Sequence, residues 1–314
     1  MSTNHPAALE QSFVERSARR DKRASEWAYQ LLLCIGFGGF TLLCIYPFYY
    51  LFINTVSAND LSANGDVMFV PKGIHLNNYV DVFQLPGLLA AAHISIARTV
   101  LGTACTVLGS AFLGFMFTQR KMWKRSLWYR ATVATMFFNA GLIPWYITMY
   151  NLGLTNNFLA YILPAIVQPF NIILVKTYIE SVPDALQEAA QIDGAGILRI
   201  FWQIILPVSK PILATIAIFA AVAQWNSFQD TLILMTESRL YTLQFTLYQY
   251  INQASSLAAM IKNNGGMVGS AESMQTPTSI RMTVSIIVVL PIMLIYPFFQ
   301  RYFVKGIMIG AVKG

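Results

Sequence analysis

Charged side chains are scarce in this sequence. Only 11% of the 314 residues are charged, whereas 56% are hydrophobic, and the mean hydropathy is +0.53. Ordinary soluble domains carry about 25% charged residues, so the composition argues against a soluble globular protein. It predicts an integral membrane protein instead.

Residue types that build catalytic and metal sites are equally sparse. The histidines are scattered between an N-terminal head, a loop and an apolar run, none has a partner at metal-ligand spacing, and no phosphate-binding Gly-Lys-Ser/Thr loop is present. The cysteines all lie in apolar runs, where free cysteine acts as a small apolar residue. The sequence therefore predicts no enzyme, no metal site, no disulfide framework and no cofactor bound by this chain. The residues concerned are His5, His75, His93, Cys34, Cys44 and Cys105.

Long apolar runs are abundant, and their lengths predict membrane spans. A helix needs roughly 20 mostly apolar residues to cross a hydrocarbon core of about 30 Å. One run, residues 131–175, is long enough for two helices, and the polar turn cluster at residues 151–157 divides it into a hairpin. We therefore expect an all-α protein with six transmembrane helices, at about residues 29–53, 88–118, 129–150, 158–179, 208–229 and 281–303.

The distribution of basic residues predicts the orientation of these spans. Sixteen of the 21 Lys and Arg fall in the N-terminal head, in the second and fourth inter-span segments and in the tail. The positive-inside rule then places both termini and residues 180–207 in the cytoplasm. The net charge of +7 follows from this topology and from contact with anionic lipid. It is no evidence for nucleic-acid binding.

The chain divides at the end of its polar head. We expect a basic cytoplasmic head at residues 1–26 and a six-span domain at 27–314, with a cytoplasmic loop at 180–207 and a large outer loop at 230–280. The head and the long first apolar run do not fit a signal peptide, so the first span is expected to stay as an anchor. The first part of the outer loop is predicted to be helical.

The second span has two distinctive features. Gly102, Thr106, Ser110 and Gly114 form a ladder of small residues, which predicts close helix packing within the bundle or at a subunit interface. Arg98 is the one plausible deep charge, and it either snorkels to the surface or faces a water-filled cavity. Because carriers driven by ion gradients usually place several ionisable groups at this depth, we expect the energy source to lie outside the chain.

The cytoplasmic loop contains a short amphipathic segment. Residues 181–184, Ser-Val-Pro-Asp, have the form of a capping box with proline in the first turn, so a helix is predicted to begin there and to run through Glu188. Gly194 permits a bend, and residues 197–206 predict a second helix with an apolar face. Helices this short are marginal in water and need a docking surface.

The spacing in this loop resembles a known family. Glu188, Ala189 and Ala190 are followed at fixed distances by Gly194, Ile204, Leu206 and Pro207, which resembles the EAA loop of ABC importer permeases. The flanking residues and the C-terminal tail are similar to carbohydrate-importer permeases of the smaller maltose-permease group. Within that group, the tail and the last outer loop look most like permeases for oligosaccharides or polysaccharide fragments, alginate-type importers among them.

The resemblance implies roles for three segments. The EAA loop would form a coupling helix in a cleft of a cytoplasmic ATPase, with Glu188 in polar contact, both alanines in the cleft and Gly194 at the bend; an inert interfacial helix is the alternative. The tail would reach the interface between two ATPases, unless it is a frayed terminus, and the outer loop would probe a solute-binding protein, unless it is a linker. The implied residues are Glu188, Ala189, Ala190, Asp193, Gly194, Ile204, Leu206 and Pro207 for coupling, Gly310, Ala311, Val312, Lys313 and Gly314 for the tail, and Lys262, Asn263, Asn264, Gly265 and Gly266 for the loop.

Polar and aromatic residues within the predicted spans are candidates for the substrate path. Aromatic rings against sugar faces and amides against hydroxyls would suit a carbohydrate. The same residues could serve in interfacial belts or join helices. The candidates are Asn139, Trp145, Gln168, Asn171, Gln224, Trp225 and Asn226.

The resemblance thus implies a permease subunit of the bacterial cytoplasmic (inner) membrane. It would pair with a second permease to form a heterodimeric pore for sugars, with two ATPase subunits that bind ATP and Mg²⁺ and an extracytoplasmic solute-binding protein. An ABC permease for another polar solute is the nearest alternative. An ion-coupled secondary carrier is the alternative from a different class.

Overall fold

The computed structural model describes residues 5–263 and 276–306, and every element in this part of the chain is a helix. A long first helix contains Pro47 and joins residues of the expected head to the first apolar run. Two short helices then lead to the second long one. These elements are α1 (His5–Thr55), α2 (Asn59–Asn64), α3 (Asn77–Phe83) and α4 (Leu88–Met116).

The remaining described chain contains eleven helices, most of them short, together with two 3-10 turns and one π turn. They are α5 (Arg125–Ala134), α6 (Leu142–Asn151), a 3-10 turn (Phe158–Tyr161), α7 (Leu163–Ile166), α8 (Pro169–Ile179), α9 (Ala185–Ile192), α10 (Ile197–Ile200), a π turn (Phe201–Ile205), α11 (Leu206–Val208), α12 (Lys210–Asn226), α13 (Gln229–Leu234), a 3-10 turn (Ser238–Leu240), α14 (Leu243–Asn263) and α15 (Pro277–Gly306).

Three of the described helical stretches are long and apolar enough to cross a membrane: Tyr29–Thr55, Leu88–Met116 and Thr278–Ile295. Two bent pairs raise the number to as many as five if each pair is one span. These pairs are Phe158–Ile166 with Pro169–Ile179, and Ile197–Val208 with Lys210–Asn226. The structure thus shows a helical membrane fold with three to five apolar spans. The six-span count and the orientation stay predictions.

The expected third span, residues 129–150, is divided in two. α5 ends at Ala134, α6 begins at Leu142, and the residues between them are not helical. Gly141 has φ +87° and ψ 176°, which only glycine adopts readily, and its N–H donates to Asn139 Oδ1 over 2.9 Å. Pro144 then fits the first turn of α6, where its missing N–H costs nothing. Hydropathy alone carried no information about this break.

Prolines also mark the two bends. Gln168, which precedes Pro169, is extended as expected before proline, and the flanking helices meet at 43°. Ser209 separates Ile197–Val208 from α12, and these helices meet at 81°. The segment that precedes α12 therefore runs almost at right angles to it.

α4 is the central helix, and it packs against α12, α8 and α7. The predicted ladder of Gly102, Thr106, Ser110 and Gly114 is buried along its length, which confirms packing within the bundle. A Cβ at Gly114 would lie 2.9 Å from the Val175 side chain, so α8 approaches α4 closely. α1 is different, because its apolar window is fully exposed.

One apolar cluster joins the ends of α4, α8 and α12 to the segment between α8 and α12. We call it the coupling core, because it contains Ala190 of the loop for which the resemblance implies a coupling role. Its buried members are Ala111 and Phe115 of α4, Val175 and Ile179 of α8, Ala190 of α9, Ile200, Phe201 and Ile205 of the π-turn region, and Ile212, Leu213 and Ile216 of α12.

Candidate functional site

A cavity of about 520 Å³ lies between α4, the α7–α8 bend and the end of α12. Its wall combines aromatic rings, side-chain amides and one ion pair. Arg98 and Thr106 come from α4, Gln168 and Asn171 from the bend and the helix that follows it, and Gln224 and Asp230 from the other side. The remaining lining residues are Trp145, Ala160, Tyr161, Pro164, Ala165, Phe170, Phe219, Ala220, Ala223 and Ser227.

Four of the residues expected in the substrate path meet in this cavity: Trp145, Gln168, Asn171 and Gln224. They come from three different predicted spans, and the structure brings them together. Among the described residues, neither Gln168 nor Asn171 has a hydrogen-bond partner for its side-chain amide. Both amides can therefore bond to a solute.

The structure places the other three candidates elsewhere. Asn139 is exposed and accepts the Gly141 N–H at the break before α6. The Trp225 indole N–H donates to the Val288 carbonyl over 3.0 Å, which ties α12 to α15. Asn226 donates to the Val222 carbonyl one turn earlier in its own helix. In the structure, these three side chains make local structural contacts.

Arg98 faces the cavity and is almost completely buried, with 2% of its surface exposed. Its guanidinium pairs with both carboxylate oxygens of Asp230, at 3.1 and 2.5 Å, and donates twice to Gln224 Oε1. It also lies over the Tyr161 ring, 4.3 Å from the centroid. A buried cation needs such partners, because desolvation without them is costly.

Sequence reasoning missed Asp230 and Tyr161 as parts of this site. The charge-free run ends at Gln229, and this places Asp230 in the predicted outer loop. A lone arginine within a span nevertheless requires an acidic partner, and Asp230 is the first carboxylate after the fifth apolar run. That requirement was the signal that could have identified it.

The loop at residues 180–207 contains the predicted short helix, but this helix begins later than expected. α9 starts at Ala185 with Asp184 as its N-cap, and no side-chain cap bond is formed. The capping-box prediction is wrong, because the Ser181 hydroxyl donates instead to the Tyr178 carbonyl at the end of α8. Ser181 thus closes the preceding helix and does not open α9.

Gly194 ends α9 in a Schellman motif. Its φ of +78° is left-handed, its N–H donates to the Gln191 carbonyl, and the Ala195 N–H donates to the Ala190 carbonyl over 2.9 Å. Both bonds need the positive φ, which a residue with a side chain adopts only at a cost. The predicted bend therefore rests on a specific backbone conformation.

The two alanines of the EAA triplet differ in exposure. Ala190 is only 8% exposed and belongs to the coupling core, whereas Glu188, Ala189 and Ile192 are exposed. This differs from the expectation that both alanines face a partner. Ala190 holds α9 against the bundle, so Glu188, Ala189 and Ile192 form the free surface.

The end of the motif lies in and after the π turn. Ile204 and Leu206 are half-buried and pack against the coupling core, while Pro207 is exposed. Phe201 and Ile205 are the deeply buried residues of this segment. The second half of the motif thus packs against the bundle.

The sequence and the fold both match known proteins. The family described as "Binding-protein-dependent transport system inner membrane component" matches residues 107–309, which include the EAA pattern and all of the cavity lining except Arg98 and Thr106.

The chain belongs to this family.

Two relatives and one solved structure show how far the similarity extends. Protein LplC of Bacillus subtilis (strain 168) is 34% identical over 277 residues, covering 88% of this chain and 92% of that protein. The polygalacturonan/rhamnogalacturonan transport system permease protein YtcP of the same organism is 31% identical, covering 88% and 94%. A chain from the crystal structure of a bacterial ABC transporter involved in the import of the acidic polysaccharide alginate has a TM-score of 0.78 and 26% identity, covering 89% of this chain and 98% of that one.

These matches confirm the resemblance to ABC importer permeases that the EAA spacing indicated. As an inner membrane component of a binding-protein-dependent transport system, the chain is a membrane subunit. Within the described residues, no group of three or more His, Cys, Asp or Glu could hold a metal ion.

Two sets of residues to which the resemblance gives roles lie partly or wholly outside the described residues. Lys262 and Asn263 lie at the end of α14. The other three outer-loop residues, Asn264, Gly265 and Gly266, and the whole tail set, Gly310, Ala311, Val312, Lys313 and Gly314, lie outside the described residues. Both contacts stay predictions, which crosslinking to a binding protein and to an ATPase would test.

Proposed function

We propose that this chain is the permease subunit of an ATP-driven, binding-protein-dependent importer of saccharides, which moves its substrate by alternating access. A second permease would complete the pore, two ATPase subunits would bind ATP and Mg²⁺ at the cytoplasmic face, and an extracytoplasmic protein would deliver the solute. Family membership and relatives named for saccharide transport support this proposal.

The geometry of α9 carries the proposal. It is a two-turn helix that leaves Glu188, Ala189 and Ile192 uncovered, although such a helix is marginal without a docking surface. Ile192 is 86% exposed, and contact of such a large apolar side chain with water is unfavourable. A partner with an apolar groove and a positive group opposite Glu188 would cover this surface, as the cleft of an ATPase would.

The coupling core would transmit movement of α9 to the cavity. Ala190 packs with residues of α4, α8 and α12, and the same three helices supply cavity residues, among them Arg98, Asn171 and Gln224. When two ATPases close on ATP, their clefts would carry the two coupling helices together. Because packed helices move as rigid bodies, the cavity would then change its access from one side of the membrane to the other.

The cavity lining fits a saccharide. Trp145 and Phe219 offer rings for the apolar faces of sugars, and the amides of Gln168 and Asn171 can donate to and accept from hydroxyls. The volume of about 520 Å³ is large enough for a small ligand or for one part of a longer chain. The second permease would supply the rest of the path.

A proline at Gly194 tests the coupling role. Proline fixes φ near −65° and has no N–H, so Gly194→Pro would destroy the Schellman motif that ends α9. We expect uptake by the reconstituted complex to fall by about tenfold or more, since strain of this kind costs about 1–3 kcal/mol. Stimulation of the ATPase by the loaded binding protein should disappear as well.

Gly196→Ala is the matched control. Gly196 has φ −69°, which any residue adopts, and a Cβ at either glycine would meet nothing within 4 Å. Its uptake and ATPase stimulation should stay within about twofold of the unmodified complex. Normal, binding-protein-stimulated uptake by an intact Gly194→Pro complex would show that α9 does not couple the two activities.

A further inference from the structure

The guanidinium of Arg98 has no hydrogen-bond donor left for a ligand. Arginine has five N–H donors, and all five are engaged. Nε and Nη2 donate to Gln224 Oε1 at 3.1 and 2.9 Å, Nη1 donates to the Ser227 carbonyl and to Asp230 Oδ1 at 3.3 and 3.1 Å, and Nη2 also donates to Asp230 Oδ2 at 2.5 Å. A carboxylate in the cavity would therefore find no free pair of N–H donors on Arg98.

Asp230 is the member of the pair that is nearer the open space. Its side chain is 15% exposed, whereas that of Arg98 is 3% exposed. Asp230 Oδ1 accepts from Arg98, from the Ser227 hydroxyl and from the Thr231 N–H. Oδ2 accepts only the Arg98 bond among the described residues, so it can accept a further hydrogen bond.

The rest of the lining has no charge. Besides Arg98 and Asp230, the lining residues are aromatic, aliphatic, hydroxyl or amide side chains, and the free amides belong to Gln168 and Asn171. The cavity as a whole is therefore neutral, with its accessible formal charge on a carboxylate. Such a wall suits groups that donate hydrogen bonds, and it repels anions.

We propose that the Arg98–Asp230 pair selects the charge of the solute, so that the cavity accepts uncharged, hydroxyl-rich saccharides and rejects those that carry carboxylates. Sugar hydroxyls donate to Asp230 Oδ2 and exchange hydrogen bonds with the two amides. This inference rests on the proposed import of saccharides and names the class among them. It separates this chain from relatives named for acidic polysaccharides.

The charge preference can be measured without knowing the sugar. The experiment uses the complete transporter. In this chain, cysteine replaces Ala223, an exposed residue of the cavity wall. Serine replaces each native cysteine, namely Cys34, Cys44 and Cys105. Methanethiosulfonate reagents with ethylsulfonate, ethyltrimethylammonium or hydroxyethyl groups then modify the introduced cysteine. The rate at which each reagent modifies the cysteine is divided by its rate with free 2-mercaptoethanol, so that differences in intrinsic reactivity cancel. After this division, we expect the anionic reagent to react about tenfold more slowly than the neutral one.

Two variants in this background test the role of the pair. Asp230→Asn leaves Arg98 uncompensated, so the anionic reagent should become the fastest of the three. Asp66→Asn removes one exposed carboxylate from the segment between α2 and α3, where it should leave the ranking unchanged. If Asp230→Asn does not assemble, the ranking measured with Asp230 present decides by itself.

A saccharide pair completes the experiment. Trigalacturonate and its methyl ester differ in charge, and we expect only the ester to slow the modification by the neutral reagent. Faster reaction of the anionic reagent when Asp230 is present, an unchanged ranking in Asp230→Asn, or equal protection by the acid would overturn the proposal. These rates do not depend on transport, so a failure of the proposed import would appear separately, as absent ATP-dependent uptake of every saccharide.

Discussion

At the scale of single residues, Arg98 illustrates how a charge is accommodated inside an apolar helix bundle. Burial of the guanidinium is compensated by five hydrogen bonds, one carboxylate and the face of Tyr161. A pair of this kind contributes little net stability compared with two apolar residues, yet removal of one member leaves the other charged and unpaired. The pair is therefore better explained by its position in the cavity wall than by a gain in stability.

A double-mutant cycle would separate these effects. We expect Arg98→Met to lower the free energy of unfolding by roughly 3–5 kcal/mol, because Asp230 is left without its cation. The double variant Arg98→Met with Asp230→Leu should recover most of that loss while import is still impaired. Thermal unfolding of the detergent-purified chain, of Arg98→Met, of Asp230→Leu and of the double variant gives the coupling energy. A loss in the double variant equal to the sum of the two single losses would mean that the two charges do not interact.

At the scale of helices, close approach to α4 determines how the bundle is built. A Cβ at Gly109 would lie 2.8 Å from both the Ile166 carbonyl oxygen and its Cγ2 atom. Backbone atoms cannot move aside as a flexible side chain can, so this contact fixes the end of α7 and with it one wall of the cavity. Gly38 in α1 has no neighbour within 4 Å.

This contrast predicts opposite outcomes for one and the same substitution. Gly109→Ala should destabilise the purified chain by about 1–3 kcal/mol, because it overpacks a backbone contact. Gly38→Ala should be neutral or stabilise the chain by up to about 1 kcal/mol, because alanine is the better helix former. Midpoints of thermal unfolding in the same detergent compare the two variants. If both variants unfold at the same temperature, the α4–α7 contact is not as tight as the structure has it.

Some elements could be predicted from the sequence and others could not, for physical reasons. Gly194 was predictable because an Asp-Gly pair after an Ala-rich helix provides a left-handed C-cap that few other sequences supply. The break between α5 and α6 was not, because it depends on the mirror-extended conformation of Gly141, which hydropathy does not encode. The burial of Ala190 could not be predicted either, because packing against Phe115, Val175 and their neighbours fixes the rotation of α9 about its axis.

At the scale of the whole molecule, the described residues enclose a cavity of about 520 Å³, and the proposed transport through it needs a source of energy. Family membership places the chain in a binding-protein-dependent system, whereas the buried ion pair is a feature that proton- and sodium-coupled carriers also have. The source of energy is therefore the property that distinguishes the two classes.

Proteoliposomes can distinguish them. With the second permease and the ATPases present, uptake of a labelled neutral oligosaccharide should require internal ATP and external binding protein together, since the chain itself supplies neither. Collapse of proton and sodium gradients by ionophores should change the rate by less than about twofold. Uptake driven by an ion gradient in the absence of ATP would assign the chain to the carriers.

Because of the 81° bend at Ser209, the segment that precedes α12 also amplifies any rotation about that residue. Ile197–Val208 has twelve residues, so at 1.5 Å per residue it forms an arm about 18 Å long that lies across the end of α12. A rotation of about 10° around Ser209 moves the far end of that arm by about 3 Å, which is roughly the rise of two helical residues. A small turn of α12 therefore corresponds to a displacement at α9 that is as large as a hydrogen bond is long.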